Sequence, residues 1–137
     1  MSRHLVRTAA AVGLALLAGM ASAGEPLPDG NPDRGKRLFL QCVACHELKP
    51  GGILKVGPHL AGLFGRQAGS VPALVVSPAL KASGIVWNAD LLDQWLAKPT
   101  ALIPGIIMVI PGIEKPQDRA DLIAYMKRET GPATKAP

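Results

Sequence analysis

The sequence predicts an all-α domain: a few helices joined by long irregular loops that wrap an apolar body the chain does not itself supply. Three observations point there. Apolar residues recur at helical spacing in only a few segments, each bounded by capping residues or prolines. The stretches between them are rich in Gly and Pro and too long for ordinary connections in a compact domain. Aromatic residues make up only 4% of the chain, a thin supply for a core of this size. A bound apolar group resolves all three.

Taken in order, residues 1–23 read as an export signal. Arg3, His4 and Arg7 form a basic start, Ala9 to Met20 is apolar and uncharged, and Ala21-Ser22-Ala23 is a small-residue cleavage site. The apolar run is short for a membrane span; the alternative is an uncleaved N-terminal anchor. Arg3 and Arg7 are not adjacent, so a twin-arginine signal is not indicated, and no cysteine follows the cleavage site to suggest a lipoprotein. About 114 residues then remain of the 137, enough for one small domain with no stable membrane span.

Residues 24–32 read as a flexible leader, the domain as 33–130, and 131–137 as a disordered tail. Within the domain, Pro32-Asp33-Arg34 opens a helix that runs through Leu38 and Phe39 into Cys42, with Asp33 near its positive end. Glu47 to Leu60 and Gly62 to Val76 are loops. Asn88 caps a helix carrying Leu91, Leu92, Trp95 and Leu96, which Pro99 ends near Lys98. Ala101 to Ile113 is apolar but broken by Pro104-Gly105 and Pro111-Gly112, so it is neither a long helix nor a span. Pro116 starts a last helix with Leu122, Ile123 and Met126 on one side; Gly131 and Pro132 stop it.

Charge narrows the function. The formal net charge of +5 falls to +3 once Arg3 and Arg7 leave with the signal. Such mild basicity suits docking onto an acidic partner. It does not suggest nucleic acid, because no dense Lys/Arg stripe or set of stacking aromatics is present.

The chemistry lies in Cys42-Val43-Ala44-Cys45-His46. C-x-x-C-H is the attachment signature for haem c. Cysteines three apart on a helical turn face the same way, so both thiols reach one porphyrin edge to form thioethers, and His46 swings beneath the ring to the iron. A disulfide leaves His46 unexplained. A thioredoxin-like motif needs a βαβ setting that is missing. A zinc site needs four ligands, and His59 is the only other histidine after residue 23.

Beyond the motif, the chain resembles the class I c-type cytochromes, the small soluble periplasmic type that includes cytochromes c and c2. The resemblance spans Asp33 to Thr130. It is carried by Gly35-Lys36-Arg37-Leu38-Phe39 and by Gly57-Pro58-His59-Leu60 with Gly62-Leu63-Phe64-Gly65-Arg66. Ile85-Val86-Trp87, the run Lys98 to Met108 and Asp121-Leu122-Ile123-Ala124-Tyr125-Met126-Lys127 complete it. It implies the cytochrome c fold around one covalent haem c. It also implies that His46 and Met108 are the axial iron ligands. Pro58 would orient His46 through its carbonyl, Arg66 and Trp87 would face a haem propionate, and Gly35 would let the first and last helices cross near Tyr125. Read alone, Met108 could equally be core filler; Met126, in a helical stripe, is better explained as core.

The sequence departs from the family at Val76, Leu80, Trp95, Ile106 and Ile107, where polar or aromatic hydroxyl groups are frequent, which makes the distal side more apolar. The function implied is a periplasmic one-electron carrier, expected as a monomer, and no enzyme. The alternatives are a subunit dedicated to a larger oxidoreductase, or a haem enzyme or sensor with an open distal site. Its partners would be a redox donor and acceptor, met through an apolar patch at residues 102–110, since Ala101 to Ile113 carries no charge.

Overall fold

The computed structural model describes residues 26–108 and 110–132, so residues 1–25, which include the segment read as an export signal, Val109 and the last five residues lie outside the described residues. Five α-helices follow one another: α1 (Pro32–Leu38), α2 (Pro78–Ala82), α3 (Ala89–Ala97), α4 (Pro99–Leu102) and α5 (Pro116–Thr130). A 3-10 turn, Phe39–Gln41, extends α1. Among the described residues there are isolated β-bridges, Phe64 with Pro132 and Gln67 with Val86, and no strand. Among the described residues no helix is long and apolar enough to cross a membrane.

α1 begins at Pro32, where the sequence reading opened it, and Asn31 is its N-cap. The Asn31 side chain accepts from the backbone N–H of Asp33 (2.9 Å) and Arg34 (3.1 Å), satisfying two of the donors a helix start leaves unpaired. The Asn31 N–H donates to Asp121 Oδ1 at 2.7 Å, and Gln117 donates to the Asp29 carbonyl at 2.8 Å. Residues 29–32, read from the sequence as flexible leader, are therefore docked on α5. The helix also stops short of Cys42, and the chain passes through the 3-10 turn before the attachment motif.

α1 packs on α5 more extensively than any other pair of helices pack together. The crossing is made at Gly35: a Cβ there would overlap the Asp121 carbonyl and lie 2.7 Å from Tyr125 Cβ. The ring of Phe39 tilts onto Tyr125 with centroids 5.5 Å apart. α3 lies against α5 and buries Leu92, Trp95 and Leu96. Asn88 caps it by accepting from Leu91 N–H at 2.8 Å. Helices α2 and α4 were not anticipated. Each begins with Pro in its first turn, a placement that suits a helix start but reads as a break when the following helix is only one turn long.

Asp121, fully buried on α5, ties the N-terminus of α1 to α5. Burial alone would raise its pKa. The Asn31 N–H, the Gln117 side-chain amide and the guanidinium groups of Arg34 and Arg37 outweigh that and hold it below the usual carboxylate value. A group whose pKa is depressed by folding stabilises the fold above its unfolded pKa and loses that contribution as pH falls through the folded one. Thermal melts from about pH 7 down to about pH 2 should show the native protein losing stability below the ordinary Asp range near 4. Asp121→Asn should start lower and fall less steeply. Parallel curves would rule out this role for Asp121.

Candidate haem-binding site

The attachment motif follows the 3-10 turn as a tight, helix-like turn. The N–H groups of Cys45 and His46 both donate to the Cys42 carbonyl, at 3.1 and 2.9 Å. Two thiols and an imidazole thus come from a single turn, with Cys42 half-buried and Cys45 exposed. Burial, reinforced by the neighbouring Cys45, raises the pKa of the Cys42 thiol. Lys55 braces the turn from outside. Its ammonium donates to the Val43 carbonyl and, at 3.4 Å, to the His46 carbonyl, and pairs with Glu47 at 2.8 Å.

The segment after Lys55 forms the wall behind His46. Gly57 N–H donates to the Cys45 carbonyl at 2.9 Å and Leu60 N–H to the Glu47 carbonyl at 2.7 Å. This sets the Pro58 carbonyl 2.8 Å from His46 Nδ1. A carbonyl can only accept, so Nδ1 carries the proton and the Nε2 lone pair is left for a metal. Burial lowers the pKa of His46, opposed by the hydrogen bond to Pro58 and assisted by the charge of Lys55. Burial and Lys55 favour the neutral ring, the form that ligates, while the bond to Pro58 fixes its orientation. Gly57 is part of the same arrangement: a Cβ there would lie 2.7 Å from Nδ1 and 2.9 Å from Nε2.

Met108 arrives from the other side of the chain. α4 turns out at Ile103, which is buried, and the loop bends at Gly105 (φ 80°) and Gly112 (φ 89°). The return limb is held where Ile113 N–H donates to the Leu96 carbonyl at 2.8 Å. Met108 itself is half-buried. With Cys42, His46 and Leu96 it borders two adjoining cavities. One, about 400 Å3, is also lined by Cys45, Gln41, Val56 and Ile110. The other, about 120 Å3, reaches inward between Leu63, Trp95 and Leu122 to Arg66, Gln67 and Ser70.

Arg66 and Trp87 meet at that inner end because their backbones pair. Trp87 N–H donates to the Arg66 carbonyl at 3.0 Å, and Gly65 N–H to the Trp87 carbonyl at 2.8 Å. The Arg66 guanidinium donates to the Ala61 carbonyl and, at 2.9 Å, to the His59 carbonyl. Burial lowers its pKa from the ordinary arginine value. Trp87 is buried, edge-on to Trp95 at 5.4 Å.

Every residue that the sequence reading proposed for the site thus borders one cleft: Cys42, Cys45, His46, Pro58, Arg66, Trp87 and Met108. The donor set fits haem c. Two thiols sit at one edge, imidazole and thioether come from separate segments, the walls are apolar, and an arginine stands at one end. Sequence reasoning missed the bracing of the turn by Lys55 and the role of Gly57. The only available signal for Gly57 was a glycine directly before Pro58.

The family model described as cytochrome c matches residues 32–129. Among curated proteins, cytochrome c of Theileria annulata is 47% identical over 102 residues, covering 74% of this chain and 88% of its own length. Cytochrome c of Sesamum indicum is 44% identical over 104 residues, covering 75% and 94%. Cytochrome c2 of Rhodomicrobium vannielii is 41% identical over 102 residues, covering 74% and 82%. With the attachment turn, the cleft and the helix arrangement in place, the chain belongs to the cytochrome c family, electron-transfer proteins that carry a covalently attached haem c and are not enzymes.

Proposed function

We propose that this chain is a periplasmic single-electron carrier whose haem iron is ligated by His46 and Met108. The observation that carries this reading is that His46, its Nε2 left unprotonated by the bond to Pro58, shares one cleft with Met108. When bound, the haem supplies a one-electron iron couple. Cys42 and Cys45 would tether it, Arg66 and the indole N–H of Trp87 would offer donors to its propionates, and the apolar walls exclude water. With both axial positions filled no substrate can coordinate. The distal segment, with Ile103, Ile106, Ile107 and Ile110, brings no acid or base of the kind a haem enzyme needs. Export rests on the signal-like sequence of residues 1–23.

Absorbance spectra of the protein from a periplasmic fraction, oxidised and reduced, with and without carbon monoxide, test the reading. A low-spin spectrum with a sulfur-to-iron charge-transfer band and no carbon monoxide adduct is expected. A high-spin, carbon monoxide-binding protein, or one retained in the cytoplasm, would overturn it.

The partner surface follows from where apolar side chains stay exposed. Along the distal loop Ile107 is 49% exposed, whereas Leu102, Ile106 and Ile110 are half-buried and Ile103 is buried. The loop therefore offers a smaller patch than residues 102–110 suggested. Exposed Leu40 and Val43 flank the cysteines, and Val56 lines the same cavity as Cys45. We place the docking face around this edge, with burial of apolar surface as the main attraction. The transfer rate with the physiological partner should then vary only shallowly with ionic strength, and Ile107→Lys should slow it severalfold. A steep fall with salt in the native protein, or an unaffected variant, would exclude apolar docking.

A further inference from the structure

Arg119 on α5 is placed where it can control the loop that carries Met108, although Arg119 itself does not line the cleft. Its guanidinium is mostly buried, 11% exposed. Nε donates to Asp93 Oδ1 on α3. One terminal nitrogen donates to two consecutive carbonyls, Ile113 and Glu114, each at 2.8 Å. Those carbonyls belong to the return limb, five and six residues after Met108. The limb is otherwise held to α3 by the Ile113 N–H on the Leu96 carbonyl and by the fit of Gly112, where a Cβ would lie 3.3 Å from the Ala97 carbonyl carbon. The ion pairs of Arg34 with Asp118 and Asp121, and of Arg128 with Asp33, tie α5 to α1 instead.

We infer that the Arg119–Asp93 pair is a clamp that keeps Met108 seated, so Arg119 is a positioning residue for the distal ligand. The inference rests on the His46/Met108 ligation proposed above. An arginine suits the task because its planar fork bonds carboxylate and carbonyls at once. Without it, two carbonyls lose a charged donor and Asp93 loses its cation, while the α1–α5 crossing at Gly35 is untouched. The loop should then open locally without the helices melting, since segments open with different free energies according to their own contacts.

Imidazole binding to the ferric protein reads this opening, because imidazole must displace the methionine. At saturating imidazole, Arg119→Met should bind about tenfold faster than the native protein, as expected for losing hydrogen bonds from a charged donor. Its sulfur-to-iron band should vanish on heating before the far-ultraviolet helix signal does. Arg128→Met, which breaks a pair of α5 with α1, should leave the imidazole rate unchanged. Asp93→Asn keeps the side-chain shape and leaves Arg119 on its carbonyls. It should bind imidazole a few-fold faster, and it stands in if Arg119→Met does not fold. Native rates in both Arg119→Met and Asp93→Asn, or an Arg128→Met variant that speeds binding equally, would overturn the clamp. If the native protein has no sulfur-to-iron band and Met108→Ala binds imidazole at the native rate, the ligand assignment itself has failed, and the clamp with it.

Discussion

The Met108→Ala protein is expected to keep its haem, lose the sulfur-to-iron band, bind carbon monoxide readily in the ferrous state and fall in reduction potential. Covalent attachment depends on Cys42 and Cys45, which sit on a turn braced by Lys55 and remote in sequence from residue 108. The thioether is a soft ligand that favours ferrous iron, so removing it lowers the potential. Axial ligands set haem potentials across about 0.8 V, and a fall on the order of 0.1–0.3 V is expected. The described loop residues beside Met108 offer no side-chain ligand in its place: they are Ile103, Pro104, Gly105, Ile106, Ile107 and Ile110. Spectra, voltammetry and carbon monoxide titration measure the three effects. An unchanged potential together with an unchanged carbon monoxide response would show that iron takes its sixth ligand elsewhere.

Gly35→Val should cost the fold more than any surface change. The added Cβ would overlap the Asp121 carbonyl and crowd Tyr125 Cβ, so two helices must separate across the main contact of the domain. Rigid backbone is what it meets, so no side chain can swing aside. Overpacking of this kind costs about 3 kcal/mol or more, a large share of the roughly 5–15 kcal/mol that holds a domain together. At about 4–8 °C per kcal/mol for a domain of this size, the melting temperature should drop by at least about 12 °C. Gly52→Ala makes a useful control, because a Cβ there would meet only the flexible side chain of Glu47. A small shift for Gly35→Val, comparable to the control, would mean the crossing tolerates separation.

Much of this was legible in the sequence because the strongest signals are local. C-x-x-C-H works within one turn, Asn88 caps its own helix, and Pro116 and Gly131 bracket α5. The close approach at Gly35 came from family resemblance and holds in the structure. What stayed hidden depends on residues far apart in the chain. Asn31 looked like leader because its role is completed by Asp121, ninety positions later. The sequence does not mark out Arg119, because the fold alone brings Asp93, Ile113 and Glu114 beside it. The one-turn helices α2 and α4 were hidden for a different reason: a hydrophobic period needs more than one turn to show itself. The burial of Leu102, Ile106 and Ile110 was also out of reach, since it depends on how the loop folds back between its two Pro-Gly bends.

Phe39, Trp95, Leu96, Leu122 and Met126 belong to the hydrophobic core and also line the cleft beside His46 and Met108. Core and binding wall are therefore the same set of side chains. Bound haem would add its own apolar area to that wall, at about 25 cal/mol per Å2 buried, so attachment would stabilise the packing of the side chains that hold the domain together. Maturation would then couple attachment to folding, with thioether formation completing the packing of the nascent chain. Before that step the polypeptide should be open to proteases, and afterwards the cofactor is not exchangeable. The abundance of the protein in the cell would accordingly be set by the supply of haem and of attachment capacity as much as by its own synthesis.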